Sequence, residues 1–452
     1  MSEKFPGYKG KVLGMLKEAR AEIGDIIRVL KDGETYEGVL IPRSESGDDK
    51  HIVIKLRNGY NVGIQVTHET KIEKIGTGAK PTFSTPPLPK QKSKLPRVTI
   101  LSTGGTIASR VDYRTGGVRP ALTANDLYSV VPELSDIAII ETEILSSVFS
   151  ENITPKHWTK TAKHVANHIE NGVAGVVVAH GTDTMGYTAA ALSFALQDLP
   201  VPVILVGSQR SADRPSSDAA TNLIGAVKAA ANAPFAEVAV AMHDTVSDKA
   251  IVFHRGTKVR KCHTSRRDAF KSVNVEPLAE LEDGKVRMLT EVYNERDSKR
   301  KLMVKTLFDK KVALAKFYPS MDAGIIDWYV DNGFKGIILE GTGLGHIGNY
   351  CFSAIKKAVS QNIIVGMTSQ CIWGRVNMNV YDTGRDLQEI GVIPFGDMLP
   401  ETALVKMMWV LGQTKDVEEA KKLLTKNIAN EFSDRTVLEK SQRRKMIGDY
   451  RL

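Results

Sequence analysis

Two apolar, β-prone runs each lead into a short segment rich in glycine and hydroxyl side chains. Residues 97–101 (RVTIL) precede STGGTI at 102–107, and residues 176–179 (VVVA) precede HGTDT at 180–184. Such apolar runs are typical of parallel strands that are covered on both faces. In open α/β sheets, ligands bind outside the carboxyl ends of the strands. The two segments therefore predict one crevice lined by threonines and a carboxylate, which a hydrolase with a threonine nucleophile needs.

Length, charge and cysteine content limit the class of protein. At 452 residues the chain is expected to form more than one domain, and its net charge of +9 indicates either an anionic partner or a solvated surface excess. The three cysteines, Cys262, Cys351 and Cys371, are widely separated. Their spacing argues against a disulfide scaffold or a zinc site and favours a reducing cytoplasm. The sequence shows no pattern typical of a signal peptide or a membrane span.

The first part of the chain differs from the rest. Alternating apolar residues at 25–30, 35–41, 51–56 and 60–64, with Asp-Gly and Asn-Gly turn signals between them, predict hairpins over residues 1–75. We expect a small SH3-like or Sm-like β-barrel there, serving as a docking or stabilising appendage or as a nucleic-acid-binding module. Residues 76–96 are rich in proline and lysine and predict an extended, semi-rigid linker.

From residue 97 onward, predicted strands alternate with predicted helices. The pattern indicates two successive Rossmann-like α/β lobes, at residues 97–290 and 308–430, followed by a basic tail at 431–452. Ser217 or Asp218 is expected to cap a helix that runs through Ala231. The polar region at 270–307 is expected to connect the lobes. The tail is expected to be either a solvated end or an arm that contacts a partner.

The candidate chemistry follows from the side chains. A threonine hydroxyl is a weak nucleophile that needs a base, and the oxyanion it creates needs positioned donors. Thr182 and Asp183 place a hydroxyl next to an acid, and a partly desolvated lysine near that acid would serve as a proton shuttle. Nucleotide binding is not indicated, because TGGT at 103–106 lacks the lysine of a phosphate loop and GTGLG at 341–345 lacks the final glycine of a dinucleotide turn.

Together these segments resemble the bacterial-type asparaginase/glutaminase family. The resemblance spans about residues 96–425 and rests mainly on TGGTI at 103–107 and HGTDTM at 180–185, with support from VGSQR at 206–210, HDTV at 243–246 and QTKD at 413–416. It implies a two-lobe fold of the asparaginase type and hydrolysis of an amide. It also implies active sites at a dimer interface with residues lent by the neighbour, for which EGTG at 340–343 is the candidate.

The resemblance assigns roles by position. Matching the family's motifs gives two catalytic threonines, an acid, a lysine and two substrate-binding residues: Thr106, Thr182, Asp183, Lys261, Ser150 and Glu151. Matching the downstream DAF at 268–270 favours Lys261 over the neighbouring Lys258. The alternative interpretation of this basic stretch is a surface loop. Ser150 is alternatively a helix cap. Which threonine attacks first stays open.

One position departs from the family's pattern. The family usually has a tyrosine shortly after TGGTI that assists the nucleophile, and here that position is Val118. Tyr113 lies five residues earlier and is a candidate replacement.

The barrel, the linker and SRVDYRTG at 109–116 resemble the D-subunit family of the archaeal glutamyl-tRNA(Gln) amidotransferases. That resemblance implies a heterotetramer containing a homodimer of this chain. Glutamine would be hydrolysed here, and its ammonia would pass to a kinase-like E subunit that converts Glu-tRNA(Gln) to Gln-tRNA(Gln). ATP and magnesium are expected in the partner, with no cofactor and no metal in this chain.

Two other functions compete with this one. A free-standing L-asparaginase/glutaminase would need neither barrel nor linker. A non-enzymatic tRNA-binding module would have no need of the intact set formed by Thr106, Thr182, Asp183 and Lys261.

Overall fold

The computed structural model describes residues 5–43, 48–57, 61–77, 94–104, 109–111, 118–120, 131–210 and 216–435. For residues 109–111 and 118–120 it describes the backbone alone. Most of the predicted linker, the predicted tail beyond residue 435, and both Thr106 and Tyr113 lie outside the described residues.

The N-terminal module is a helix followed by five antiparallel strands. They are α1 Gly10–Glu18, β1 Ile26–Lys31, β2 Glu34–Leu40, β3 His51–Lys55, β4 Asn61–Gln65 and β5 Lys71–Gly76. The strands pair in the order β4-β3-β2-β1-β5. At the β1–β2 turn, Asp32 and Gly33 both have positive φ, of 50° and 80°, as a two-residue hairpin with the twist of its strands requires.

The four strands predicted from alternation are present, whereas α1 and β5 were not predicted. Val12 and Leu16 of α1 are fully buried in the core of the module, against Ile27 and Val29 of β1. Gly10 and Gly14 weaken the helix signal, since glycine in a helix costs about 1 kcal/mol relative to alanine. Packing, rather than local preference, accounts for this helix.

The first lobe is built around an eight-stranded sheet with strand order β18-β17-β14-β13-β12-β10-β6-β9. Its neighbours from β9 to β13 are parallel, and β14, β17 and β18 are added antiparallel. The strands of this part of the chain are β6 Arg97–Ser102, β7 Ser109–Val111, β8 Val118–Pro120, β9 Ile139–Ile144, β10 Gly175–Ala179, β11 Leu196–Gln197, β12 Val203–Val206, β13 Val238–His243, β14 Ala250–Arg255, β15 Val259–Lys261, β16 Phe270–Ser272, β17 Ala279–Glu282, β18 Lys285–Met288 and β19 Met303–Val304.

Helices cover both faces of this sheet. They are α2 Pro155–Glu170, α3 Met185–Ala195 and α4 Ala219–Asn232, accompanied by 3₁₀ turns at Pro132–Asp136 and Ser150–Asn152. One apolar cluster lies between the sheet and α4, and a second lies between the sheet and α2 with α3. Burial on both faces explains why β10 and β12 consist entirely of buried residues.

The interpretation of 270–307 as a connection was wrong for its first part. β17 and β18 form the outer edge of the first sheet, with β17 paired to β14. Their burial alternates along the chain, as expected for strands at an edge that has one face in solvent. This alternation gives them a polar composition, which concealed them beside the apolar central strands.

The second lobe is a smaller parallel sheet with strand order β20-β21-β22-β23. Its elements are β20 Val312–Lys316, α5 Gly324–Asp331, β21 Gly336–Gly341, a 3₁₀ turn at Asn349–Cys351, α6 Phe352–Ser360, β22 Ile364–Ser369, α7 Asp382–Ile390, β23 Ile393–Pro394, α8 Pro400–Gln413 and α9 Val417–Thr425. The alternation of strands and helices predicted for residues 308–430 is present.

The lobes are joined by the packing of α3 against α8. Every residue of α3 except Gly186 and Tyr187 is buried, so this helix is covered on all sides. Phe194 of α3 stacks on Trp409 of α8 with ring centroids 6.0 Å apart. Both rings belong to one apolar cluster that contains residues of both lobes. In the part of the chain that the structure describes, no helix is long and apolar enough to cross a membrane.

We expect Phe194→Ala to reduce the free energy of unfolding by about 3–5 kcal/mol, because it leaves a cavity between the lobes. Urea unfolding followed by tryptophan fluorescence would measure the change. Phe149→Ala is the matched control, since Phe149 is 74% exposed and should change stability by less than about 0.5 kcal/mol. Equal effects of the two substitutions would contradict a stabilising role for the Phe194–Trp409 contact.

Candidate active site

The first threonine segment leaves β6 beside the end of β10. Thr103 donates from its backbone N–H and from its hydroxyl to the carbonyl of Ala179, each at 3.0 Å. Gly104 has a φ of +124°, and a Cβ at this position would lie 2.2 Å from the carbonyl oxygen of Val148. Glycine is therefore required here both by backbone conformation and by space. These contacts bring the start of the first segment against the start of the second.

Hydrogen bonds of His180 hold the second threonine segment in place. Its Nδ1 lies 2.7 Å from the carbonyl oxygen of Gly181, and its Nε2 lies 2.9 Å from the hydroxyl of Thr188. The indole of Trp158 donates to the same hydroxyl at 3.1 Å. A neutral imidazole that donates from Nδ1 and accepts at Nε2 satisfies both contacts. Burial lowers the pKa of His180 from 6.5 to about 4, which keeps the ring neutral near pH 7.

Lys261 reaches the second segment from far along the chain. Its ammonium donates to the hydroxyl of Thr182 at 2.9 Å and to the carboxylate of Asp183 at 2.7 Å. The Lys261 side chain is 14% exposed and that of Asp183 is 69% exposed, so the ammonium is largely buried whereas the carboxylate is accessible to solvent. An ammonium held this way stabilises negative charge on the threonine oxygen and keeps a proton within reach of it.

The structure separates the two lysines that the sequence left as alternatives. Lys258 points away from Asp183, is fully buried, and donates to the carboxylate of Asp397 at 2.8 Å. Burial lowers the pKa of Lys258, and the nearby Asp397 carboxylate opposes that shift. Only Lys261 of the two therefore contacts the HGTDT segment.

Ser150 lies beside the same segment. The hydroxyl of Thr184 donates to the backbone carbonyl of Ser150 at 2.6 Å. A Cβ added at Gly181 would lie 2.9 Å from Cβ of Ser150, so the two backbones pack closely. Glu151 follows on the 3₁₀ turn and is exposed. The structure thus places Ser150 against the second threonine segment, with Glu151 next to it in the chain.

The alternative in which Ser150 caps the following helix is wrong. Helix α2 begins at Pro155, and its N-cap is Thr154. Thr154 and His157 form a capping box in which each side chain faces the other's backbone. Ser150 is four residues too early to cap the helix.

A buried polar network, which was not predicted from the sequence, supports the neighbouring loop. The amide of Asn222 donates to the carbonyl of Gly207 at 2.9 Å, and its oxygen lies 2.6 Å from Nδ1 of His243. Asp218 accepts from the backbone N–H groups of Gln209 and Arg210. As predicted, Asp218 immediately precedes helix α4, but its carboxylate holds this loop rather than capping the helix.

This loop contacts the candidate catalytic threonine. A Cβ at Gly207 would lie 2.8 Å from the methyl carbon of Thr182. The sequence did carry a signal, because both VGSQR and HDTV directly follow strands at the carboxyl edge of the sheet. The sequence does not show that Asn222 of α4 links the two segments, by bonding the carbonyl of Gly207 and the ring of His243, and so supports the loop that packs on Thr182.

Three family models match the chain. They are "Asparaginase, N-terminal" at residues 97–294, "Glutaminase/Asparaginase C-terminal domain" at 311–424 and "GatD N-terminal domain" at 21–75. Together they cover the small N-terminal module and both lobes.

Curated relatives match along almost the whole chain. The D subunit of the glutamyl-tRNA(Gln) amidotransferase of Pyrococcus furiosus is 51% identical over 432 residues, covering 94% of this chain and 98% of the relative. The protein of the same name from Metallosphaera sedula is 50% identical over 436 residues, covering 96% and 98%. The chain belongs to the family of glutamyl-tRNA(Gln) amidotransferase D subunits.

Solved structures of L-asparaginases resemble the two lobes. The thermostable L-asparaginase from Thermococcus kodakarensis has a TM-score of 0.67 and 32% identity, covering 75% of this chain and all of that one. L-asparaginase I from Vibrio cholerae has a TM-score of 0.66 and 29% identity, covering 75% and 99%. The D-subunit family thus shares the asparaginase-type α/β fold, as the sequence predicted.

The low pKa of His180 makes stability depend on pH. Between pH 6.5 and about 4 the unfolded chain binds a proton that folded His180 does not. Stability contributed by the neutral ring is therefore present above pH 6.5 and is lost as the pH falls through this window, by roughly 3 kcal/mol. Urea unfolding from pH 7.5 to 4 should give a flatter profile for His180→Gln than for the natural chain.

His254 provides a comparison for this prediction. Its pKa is lowered by burial to about 3, so it contributes with the same sign, and His254→Gln should remove only its own share of the slope. An unchanged slope in His180→Gln would show that His180 is not kept neutral by the fold.

Proposed function

We propose that this chain hydrolyses glutamine for a tRNA-dependent amidotransferase. The single observation that carries the proposal is the contact of Lys261 with both Thr182 and Asp183, in a chain of the D-subunit family. The ammonia released here would pass to a kinase-like E subunit, which would use ATP and magnesium to convert Glu-tRNA(Gln) to Gln-tRNA(Gln). This chain would supply no cofactor or metal to either step.

The reaction begins with attack of a threonine hydroxyl on the side-chain carbonyl carbon of glutamine. A C–O bond forms, the hydroxyl proton moves through Lys261 and Asp183 to the amide nitrogen, and the C–N bond breaks with loss of ammonia. Water then cleaves the threonine ester, which gives glutamate and restores the hydroxyl. Thr106 and Thr182 are the two candidates for the attack, and the hydroxyl of Thr182 is in contact with Lys261.

Substrate binding is assigned to the turn beside the threonine segment. Glutamine carries an α-amino and an α-carboxylate group, and Ser150 with Glu151 would hold them. Glu151 offers an exposed carboxylate for the ammonium group. Ser150 is fixed by the bond that Thr184 makes to its carbonyl. The amide of the substrate would then reach toward Thr182.

Transfer to a partner has a physical rationale. Ammonia in water near pH 7 is mostly protonated, and the ammonium ion has no lone pair with which to attack an activated ester. In a dry passage the charged form is disfavoured, because an ion loses its hydration there. A closed path between subunits would therefore keep ammonia reactive.

We propose that the chain also forms a homodimer through the carboxyl edge of the second sheet. Six large apolar side chains lie 41–60% exposed at or near this edge: Tyr318, Tyr350, Ile372, Trp373, Val380 and Tyr381. Exposed apolar area of this kind marks interaction surfaces. Of the 340–343 stretch, Glu340 and Gly341 are buried in their own lobe, whereas Thr342 and Gly343 are exposed and accessible to a neighbour.

A cytoplasmic location completes the proposal. All three cysteines are free thiols in the structure, which suits a reducing compartment. One alternative is a free-standing L-asparaginase/glutaminase. The observation in its support is the similarity of both lobes to solved L-asparaginases.

A glutamine-dependent amidation assay distinguishes these functions. The chain is incubated with glutamine, ATP, magnesium and Glu-tRNA(Gln), with and without its E subunit, and both Gln-tRNA(Gln) and free glutamate are measured. We expect weak glutamine hydrolysis by the chain alone and a clear increase when the partner and the tRNA are present. Equal glutaminase activity in both cases, or full turnover of free asparagine by the chain alone, would support the free-standing enzyme.

Replacing Lys261 should abolish most of the hydrolysis. Lys261→Met removes the group that shuttles the proton, so kcat for glutamine should fall by about 10²–10⁴-fold. Lys271→Met is the matched control, because Lys271 lies on the paired strand β16 and contacts Asp268 instead. Steady-state kinetics of the complex would measure both. A Lys261→Met enzyme with nearly natural kcat would remove this lysine from the mechanism.

A further inference from the structure

The strand that carries Lys261 is not part of either large sheet. β15 pairs with β16 in a two-stranded hairpin. Alternate side chains of an extended strand point in opposite directions. Here Val259 packs in the core of the first lobe and Lys261 reaches Asp183 of that lobe. Arg260 lies between these two residues and Lys258 precedes Val259, and both point to the opposite side of the strand.

Lys258 is bound to the second lobe. Its ammonium lies 2.8 Å from the carboxylate of Asp397, and neither side chain is more than 1% exposed. It also donates to the backbone carbonyl of Asp397 at 3.3 Å. Removing one partner of a pair this deeply buried leaves an uncompensated charge, so the pair resists separation.

Arg260 makes a second attachment to the same lobe. Its guanidinium lies 3.2 Å from the carboxylate of Glu401, in the first turn of α8. One residue further along α8, the hydroxyl of Thr402 donates to the carbonyl of Thr257 at 2.9 Å. Asp397, Glu401 and Thr402 of the second lobe thus hold Lys258, Arg260 and Thr257, respectively.

The second-lobe side of these contacts is itself fixed. The Asp397 carboxylate accepts from the backbone N–H of Ser433 at 2.9 Å. The side chain of Asn274 bonds both to the carbonyl of Gly374, at 2.8 Å, and to that of Asp397, at 3.4 Å. Helix α8 is anchored on α3 by the Phe194–Trp409 stack. The hairpin therefore has a rigid support.

We propose that Asp397 and Glu401 of the second lobe are positioning residues for Lys261. They hold Lys258 and Arg260, and the alternation of the strand then directs the Lys261 ammonium onto Thr182 and Asp183. The inference rests on the proposed function, in which Lys261 serves glutamine hydrolysis. It adds that the smaller lobe sets the geometry of a catalytic group carried by the larger one.

The proposal predicts a specific kinetic signature. Ser150 and Glu151, which would bind glutamine, belong to the first lobe and make none of these contacts. Loosening the hairpin should therefore lower kcat while leaving KM within about twofold. A displacement of about 1 Å at a catalytic group is enough for a large loss of rate.

Glu401→Gln is the first test, because Glu401 is only partly buried and its loss is compatible with folding. We expect kcat for glutamine in the complex to fall by about tenfold or more, and Glu401→Asp to recover part of the loss. Asp309→Asn is the matched control. It breaks a 2.7 Å ion pair with Lys335 that lies within the second lobe, whereas the Arg260–Glu401 pair joins the two lobes, and it should leave kcat unchanged.

Thiol labelling gives a readout that does not depend on activity. Cys262 directly follows Lys261 and is exposed, as is Cys371, whereas Cys351 is buried. In a Cys371→Ser background, labelling by an aromatic disulfide reagent reports on the hairpin. Glu401→Gln should increase the labelling rate about threefold or more, and Asp309→Asn should not.

The buried pair is tested by a double substitution. Asp397→Asn alone would leave Lys258 unpaired and is expected to destabilise the fold. Lys258→Met with Asp397→Asn removes both charges and keeps a side-chain oxygen that can accept from the N–H of Ser433, so melting temperature should be largely retained while kcat falls. Natural kcat and labelling in this double variant and in Glu401→Gln, or equal losses in Asp309→Asn, would overturn the proposal.

The outcomes separate the two hypotheses. If the natural chain with its partner hydrolyses no glutamine, the proposed function fails, and the Cys262 labelling still tests whether the second lobe holds the hairpin. If the natural chain is active and Glu401→Gln matches it in kcat and labelling, the positioning role alone fails.

Discussion

The contact between the Lys261 ammonium and the Asp183 carboxylate determines how the rest of this molecule must be arranged. The two residues are 78 positions apart, and their side chains meet at 2.7 Å. Asp183 follows a central parallel strand, whereas Lys261 lies on a short hairpin outside both main sheets. Bringing them together requires a rigid first sheet, a buried α3 and a second lobe that fixes the hairpin. The two lobes are therefore parts of one site.

Two buried ion pairs join parts of the molecule that are distant in the sequence. Lys258 with Asp397 spans the lobes, and Lys406 with Glu431, separated by 2.5 Å with neither side chain exposed, fixes the segment after α9 to α8. Buried pairs of this kind add little net stability, because the desolvation of both charges offsets their attraction. Their value is directional, since hydrogen bonds between charged groups require a defined geometry. An apolar contact at the same place would tolerate sliding that a catalytic lysine would not.

Much of the fold could be predicted from the sequence because its central elements are strongly patterned. The apolar strands β10, β12, β13, β21 and β22 were predicted from their composition, and α3, α4 and α6 were predicted from the helical sequences that follow β10, β12 and β21. Errors arose where local pattern and tertiary role differ. The edge strands β17 and β18 have a polar composition because one face meets solvent. The glycines of α1 hide a helix that exists because Val12 and Leu16 complete a core.

Polar residues were predicted less well than apolar ones, because one side chain has several local uses. The sequence allowed helix capping as an alternative role for Ser150, yet Thr154 caps α2. Asp218 precedes α4 as expected, yet it bonds the turn after β12. Hydrogen bonds of this kind join different segments of the chain, and a local sequence pattern does not show which residue a polar side chain will bond.

The sequence by itself determined the α/β class, the order of the N-terminal module and the two lobes, and the candidate catalytic residues, since strand burial and glycine-rich turns leave local signatures. The motif match favoured Lys261 over Lys258, but only the tertiary structure shows that Lys261 contacts Asp183 whereas Lys258 contacts Asp397, because an odd spacing along an extended strand places them on opposite sides. It also revealed that the second lobe holds the strand that bears Lys261. That arrangement depends on pairings across more than a hundred residues, and such pairings are set by the packing of complete lobes.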